Sequence, residues 1–182
     1  NWENNYFDDT YRWNGKHKKF IGYCTDIFFD HAIDWIKRCA AAGEPFFAYL
    51  PTNTPHGPFY APEEDIEVME EVMANTKLPR MAPQTKRNLV RYLAMIRNVD
   101  TNMGRLMEFL DESGLAKNTI LLFMTDNGST FGHAYFPAGM RGRKTQLWEG
   151  GHRVPCFVRW PGGGIGQPRD IGGLTQTQDL LP

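Results

Sequence analysis

The sequence predicts an α/β fold, a mostly parallel central sheet flanked by helices, in a single domain spanning residues 1–182. Three observations predict it. The run Ile120–Met124 in "NTILLFMTDNG" is apolar without alternation, as in a strand buried on both faces of a parallel sheet. Leu89, Leu93, Ile96, Val99, Met103, Leu106 and Leu110 mark one apolar stripe on a long helix that starts after Pro83. A short apolar run bounded by prolines, Phe46–Leu50, precedes that helix. Strand, helix, strand is the order of a right-handed parallel crossover.

The remaining elements follow in chain order. Residues 1–20 give no clear element. In "TDIFFDHAIDWIKRCAAAG", Phe28, Ala32, Trp35, Ile36 and Cys39 fall at helical spacing, and Gly43 supplies a C-terminal stop. "TNTPHGPFYAPEED" holds too much proline for a regular element and reads as a loop. A short acidic helix is expected from Glu63 to about Met73. The long helix closes near Gly114 at "ESGL". After a Gly-rich loop, "VPCFVRWPGG" offers one more short strand. No repeat or low-complexity tract is present.

Bulk properties exclude several function classes. A hydrophobic fraction of 41% and an aromatic fraction of 13% suit a packed core rather than disorder. Lys plus Arg (20) nearly balances Asp plus Glu (21), so no overall basic field exists to hold nucleic acid or an anionic membrane. No apolar run approaches the ~20 residues of a membrane span. "NWENNYFDDTYRWNGKHKKF" has no apolar core of a signal peptide; such a segment is expected to be upstream or already removed. Cys24, Cys39 and Cys156 form neither a zinc pattern nor a disulfide framework, and each reads as a small buried apolar residue.

Ligands of α/β sheets bind beyond the carboxyl ends of the strands. The loop after Phe46–Leu50 carries His56, and the loop after Ile120–Met124 carries Asp126 and Asn127. Alone, "DNG" reads as a turn. At a sheet edge it also offers a carboxylate and an amide carbonyl, hard oxygens suited to Ca²⁺ or Mg²⁺ rather than Zn²⁺. Two donors fall short of a Ca²⁺ shell of about six to eight oxygens. His56 lies between Pro55 and Pro58, whose rings stiffen the loop and hold the imidazole in place for an anion or a proton. Lys144, in "GMRGRKTQLWEGGHRVP", is a compact cation suited to a tetrahedral oxyanion, beside glycines that let backbone approach a ligand. His133, Arg141, Arg143, His152 and Arg153 are weaker candidates of the same kind. Glu149-Gly150-Gly151 is expected to shape a turn, and Asp30-His31 to sit on the first helix facing solvent.

"GKHKKFIGYCTDIFFDHAIDWI", "FFAYLPTNTPHGPF", "VRYLAMIRNVDTNMGRLMEFLDESGLAKNTILLFMTDNG" and "AGMRGRKTQLWEGGHRVPCFVRWPG" together resemble the type I sulfatases of the alkaline phosphatase superfamily, in the family's order and over nearly the whole chain. The resemblance implies a sulfuric ester hydrolase. In such enzymes a formylglycine, made from Cys or Ser in a C/S-x-P-x-R motif, attacks the sulfur as its hydrate, while Ca²⁺ and several cations hold the sulfate. By position, Asp126 and Asn127 match calcium ligands, His56 a histidine near the leaving oxygen, and Lys144 a lysine on sulfate oxygens. His133 and Arg143 are assigned to substrate binding. Two-zinc phosphatases of the superfamily carry histidine where this chain has Asn127, which favours a single hard cation. Arg143 and Thr145 stand where many relatives have glycine, adding bulk and charge near the sulfate position.

The larger departure is the nucleophile. The cysteines begin "CTDIF", "CAAAG" and "CFVRW", and neither Ser113 nor Ser129 begins the motif. The resemblance therefore implies an incomplete sulfatase-like domain, its formylglycine upstream and its C-terminal subdomain downstream. Expected partners are a small sulfate ester or a sulfated glycan, with no nucleic acid and no membrane span. This 182-residue piece is expected to be inactive and to self-associate through uncovered strand edges. Location is expected to be periplasmic, extracellular or lysosomal, on the family alone. Two alternative readings are a phosphodiesterase or phosphonate hydrolase on the same scaffold, and a non-catalytic domain that binds sulfated glycans.

Overall fold

A computed structural model describes residues 5–78 and 80–180. Residues 1–4, residue 79 and the last two residues of "TQDLLP" lie outside the described residues. The chain is α/β, with three principal helices and two small sheets among the described residues.

The first sheet is a hairpin of β1 (Thr10–Trp13) and β2 (Lys16–Lys19), paired antiparallel. Asn14 and Gly15 form its turn, with φ of 47° and 82°. This Asn-Gly pair is the preferred chemistry of a two-residue hairpin turn, so a local signal was present where the sequence reading found none.

Helix α1 spans Cys24–Ala42 and buries Ile27, Ala32, Ile33, Ile36 and Cys39 on one face. Trp35, expected on that face, is 37% exposed and meets the ring of Phe46 edge-on. Gly43, at φ 69°, ends the helix by turning its N–H back to the carbonyl of Ala40. Helix α2, Glu63–Ala74, begins with three acids that complement the positive helix start. One of them, Asp65, is buried and ion-paired with Arg97.

Helix α3, Pro83–Glu112, starts on proline, whose missing N–H costs nothing in a first turn. At 30 residues it is about 45 Å long and is the spine of the molecule. Leu106 and Leu110 pack with Phe29, Ile33 and Ile36 of α1. Burying each such side chain stabilises by about 1.5–3 kcal/mol relative to exposure. The expected stripe changes course in mid-helix. Ile96 is exposed, while Asn98 and Asn102 are buried. Both amides donate to Oδ1 of Asp26 on α1, at 3.0 and 2.6 Å, and Asn98 also donates to Asp65. A polar seam thus occupies positions that apolar periodicity alone assigns elsewhere.

The second sheet pairs β3 (Leu121–Met124) with β4 (Cys156–Arg159), antiparallel, from Leu121 opposite Arg159 to Met124 opposite Cys156. This corrects the expected parallel sheet, which is not found among the described residues. An apolar run without alternation does not fix strand direction, and β3 is half-buried throughout rather than buried on both faces. Phe46–Leu50 is likewise not a strand among the described residues. Phe46 and Leu50 lie against the α1–α3 core, whereas Phe47, Ala48 and Tyr49 are exposed, and the segment pairs with no neighbour among the described residues. Cys24 and Cys39 are buried as expected, whereas Cys156 on β4 is exposed. No helix among the described residues is long and apolar enough to cross a membrane.

The polar seam yields the first prediction. Asp26→Ala removes the acceptor shared by two buried amides and should cost about 1–3 kcal/mol in chemical denaturation. Asp26→Asn, which keeps a carbonyl acceptor, should recover part of that loss. An unchanged midpoint for the alanine variant would mean that Asp65 and backbone carbonyls satisfy both amides.

Candidate functional site

Three loops carry the candidate residues, and each is set by its own local chemistry. The 51–62 loop is held from below by two tyrosines. Tyr6 donates its hydroxyl to the carbonyls of His56 and Asn53, and Tyr23 donates to the carbonyl of Tyr60. The His56 backbone N–H returns to the carbonyl of Asn53 at 2.9 Å. Its Nδ1 lies 2.8 Å from the carbonyl of Gly57. A carbonyl only accepts, so Nδ1 carries the proton and Nε2 is left free for exchange with a ligand. His56 is exposed. Burial pushes the Tyr6 phenol up to about 12, which keeps it a donor at ordinary pH.

Asp126 and Asn127 follow β3 directly. Asp126 is exposed and Asn127 half-buried, and the Asn127 amide donates to Oδ2 of Asp126. That bond uses the amide nitrogen and leaves the Asn127 carbonyl oxygen and Asp126 Oδ1 unengaged. Ser129 then tightens the chain. Its Oγ accepts from the N–H groups of Phe131 (3.1 Å) and Gly132 (2.7 Å), while Tyr92 donates to it at 3.3 Å. Ser129 had no assigned role from sequence, although serine two and three residues before free N–H groups is a recognisable local signal. His133 lies in the short 3₁₀ turn Gly132–Ala134, half-buried, with a buried Nδ1 that has no hydrogen-bond partner.

Lys144 and Arg143 sit in the loop that leads to the four-residue helix α4, Glu149–His152. Lys144 is half-buried and Arg143 exposed. Among the described residues neither forms an ion pair with a carboxylate. The neighbouring basic residues are committed to structure. Arg141 stacks 3.6 Å above the Trp148 ring, Arg153 pairs with Glu149 at 3.6 Å, and His152 Nε2 lies 3.2 Å from the carbonyl of Leu147. The expected turn at Glu149-Gly150-Gly151 is this small helix.

Backbone packing joins the second and third loops. The Gly128 N–H donates to the carbonyl of Gly151 at 3.0 Å. A Cβ at Gly128 would stand 1.9 Å from the carbonyl oxygen of Gly150, and one at Gly151 would stand 2.1 Å from that of Gln146. Glycine is therefore required where the chain after Asn127 rests on the chain after Lys144. Aromatic rings join the first loop to the second. Phe59 lies 4.9 Å from Phe131 and 5.7 Å from Tyr92, and Tyr92 lies 5.5 Å from Phe131. The structure thus brings together the loops bearing His56, Asp126–Asn127, His133 and Arg143–Lys144. Apart from the Asn127–Asp126 bond, no hydrogen bond or ion pair links these candidate side chains to one another among the described residues. The cavity of about 350 Å³ lined by Gly43, Phe46, Leu115 and Thr119 contains none of them.

A family model described as Sulfatase matches residues 1–182. The chain belongs to the sulfatase family. It is 33% identical over 162 residues to the Escherichia coli (strain K12) protein described as "Uncharacterized sulfatase YdeN", covering 88% of this chain and 27% of that one. It is 30% identical over 142 residues to human N-acetylgalactosamine-6-sulfatase, covering 76% of this chain and 24% of that enzyme. The chain spans about a quarter of the length of these curated relatives. Among solved structures it is similar to Ps i-CgsB in complex with k-i-k-neocarrahexaose, with TM-score 0.67 and 30% identity over 81% of this chain and 30% of that one. It also shares its fold with the putative sulfatase yidJ from Bacteroides fragilis, with TM-score 0.63 and 23% identity over 81% of this chain and 33% of that one.

The sulfatase-family loops fit a hard cation only in part. Asp126 and Asn127 present carboxylate and amide oxygens at one position, the right donor chemistry. No group of three or more His, Cys, Asp or Glu gathers around them or elsewhere among the described residues. Two oxygen donors alone fall short of a Ca²⁺ shell.

Gly128→Ala should force the two loops apart and lower stability by about 1–3 kcal/mol, the scale of overpacking in a tight contact. Thermal denaturation checks this, and a wild-type melting curve would mean that the loops separate freely. The Tyr6 phenol gives a pH prediction. Its proton is held more tightly in the folded chain, so its stabilisation is complete below pH 10.0 and lost as pH rises toward about 12. Tyr6→Phe should flatten the alkaline limb of a stability titration relative to the wild type.

Proposed function

We propose that the protein containing this chain hydrolyses sulfate esters and that the three joined loops form one side of its active centre. The packing of Gly128 against Gly150 and Gly151 carries this reading, because it sets the oxygen donors of Asp126 and Asn127 beside the loop of Lys144. Membership of the sulfatase family supports the reaction class. The neighbour solved in complex with k-i-k-neocarrahexaose, 30% identical to this chain, supports a saccharide as the organic part of the ester.

Each residue then has a role. Lys144, half-buried and free of a carboxylate partner among the described residues, places its ammonium on sulfate oxygens and offsets the charge that gathers there as the S–O bond breaks. In the imidazolium form of His56, with Nδ1–H held by the Gly57 carbonyl, Nε2–H stands to give its proton to the leaving alkoxide and return to the neutral imidazole. Asp126 and Asn127 would hold Ca²⁺, and a bound cation would polarise the sulfate. His133 and Arg143 would contact the organic part of the substrate. A formylglycine is the nucleophile this assignment requires. None of Cys24, Cys39, Cys156, Ser113 and Ser129 begins the modification motif, so on this reading the 182-residue chain by itself should show no turnover.

The test is hydrolysis of an aryl sulfate by the full-length gene product, with an aryl phosphodiester and an aryl phosphonate in parallel. Sulfate turnover should dominate, and Lys144→Ala and Asp126→Ala should each lower kcat/KM by about 100-fold or more. Chelation should abolish turnover and added Ca²⁺ restore it. Preference for the phosphodiester or phosphonate would replace this reading by a phosphate-directed enzyme on the same scaffold. Full activity in both variants would remove these loops from the active centre.

A further inference from the structure

Tyr92, half-buried on α3, touches both the His56 loop and the loop that follows Asn127. Its ring lies 5.7 Å from Phe59 and 5.5 Å from Phe131, edge-on to each. Phe59 follows His56 by three residues, and Phe131 follows Asn127 by four. The two loops rest on different buried clusters. Phe59 packs against Tyr6, Tyr23, Ala94 and Met95, whereas Phe131 and Tyr92 pack against Met73, Leu89 and Val90. The three rings span the boundary between those clusters.

The hydroxyl end of Tyr92 makes contacts of its own. It stands 3.3 Å from Oγ of Ser129, the atom that gathers the N–H groups of Phe131 and Gly132. The backbone presses on it at Gly132, where a Cβ would stand 2.8 Å from the Tyr92 oxygen and 3.2 Å from its ring. Gly132 does not have a positive φ, so space rather than backbone conformation calls for glycine there. Core filling asks only for an apolar group at this place, as Leu89 and Leu93 supply close by. A phenol whose ring meets two loops and whose oxygen meets a turn does more than fill space.

The Asp126–Asn127 pair lies next to two ties. The first is the Gly128 N–H on the Gly151 carbonyl, at 3.0 Å, which sets the pair against the loop of Lys144. The second runs from Ser129 and Phe131 through Tyr92 to α3 and to Phe59. Losing the second leaves the first intact. The pair would then keep its place beside Lys144 and lose its place relative to His56.

We propose that Tyr92 is a positioning residue of the candidate centre: its ring sets the spacing of the His56 and Asp126–Asn127 loops, and its hydroxyl fixes the Ser129 turn. Its effect on turnover rests on the sulfate-ester reading, but its effect on the loops can be read without turnover. In the full-length gene product, Tyr92→Leu and Tyr92→Phe are compared with the wild type for aryl sulfate hydrolysis and for amide hydrogen exchange. Tyr92→Leu should lower kcat about 100-fold, the scale of a group displaced by about 1 Å. KM should stay within about threefold, because the Lys144 loop keeps its place. Tyr92→Phe keeps the ring and should hold kcat within about fivefold of the wild type, the loss of one long hydrogen bond. Exchange in the 51–62 and 126–134 segments should rise about tenfold in Tyr92→Leu, with α1 unchanged. Wild-type kcat in Tyr92→Leu would overturn the proposal. So would exchange that rises equally along α1, which would make Tyr92 a residue of general stability. Should Tyr92→Leu not fold, Tyr92→Phe decides: faster exchange confined to 126–134 upholds the assignment, and wild-type exchange there overturns it. A wild type that hydrolyses no aryl sulfate would sink the sulfate-ester reading alone, and loop-confined exchange in the variants would still uphold the tie through Tyr92.

Discussion

One carboxylate fixes the relation of the two helices on which the rest is built. Asp26, in the first turn of α1, accepts from the side-chain amides of both Asn98 and Asn102 in the middle of α3. Apolar contacts between the helices would tolerate a shift along the axis, but a hydrogen-bonded set of this kind has one register. Arg97 and Asn98 extend the same network to Asp65 on α2, and Arg105 joins Asn102 to Asp30 back on α1. Three helices are thereby locked by a seam whose members satisfy one another.

That lock positions the loops. The His56 loop is suspended from Tyr6 and Tyr23, which share a buried cluster with Ala94 and Met95 of α3. One turn earlier on α3, Tyr92 meets both Phe59 and Phe131 and donates to Ser129. A single stretch of the long helix therefore references the imidazole loop and the Asp126–Asn127 loop to the same frame. The Lys144 loop reaches that frame indirectly, through glycine contacts with the second loop. Electrostatics follow from this division. The structural cations are neutralised by Glu149 or stacked on Trp148, whereas Lys144 is left without an acid among the described residues.

Much of this was legible in the chain, and the failures have identifiable physical causes. The three helices were readable because their ends carry position-specific chemistry: Gly43 and Gly114 beyond the C-termini, Pro83 at a start. The inner face of α3 was misread at Ile96 because hydropathy cannot register a partner 72 residues away that makes Asn98 welcome in a core. Strand direction failed for a related reason. The pattern of Leu121–Met124 reports burial, and its pairing with Cys156–Arg159 depends on where the later segment returns. At the site, residue types and loop membership were visible in "TPHGP", "TDNG" and "RKTQLWEGG". The glycine contacts that bring two of those loops together were not, because a glycine chosen for close approach looks in sequence like one chosen for a turn.

The contact between Gly128 and the Gly150–Gly151 pair limits how these loops can diversify. No side chain of any size can be introduced at these points without moving backbone, so shape changes must come from the residues between them. Arg143 and the exposed positions around Lys144 can vary in size and charge with the glycine contact left untouched. A saturation library aimed at substrate range would spend its variants well there and waste them on the glycines.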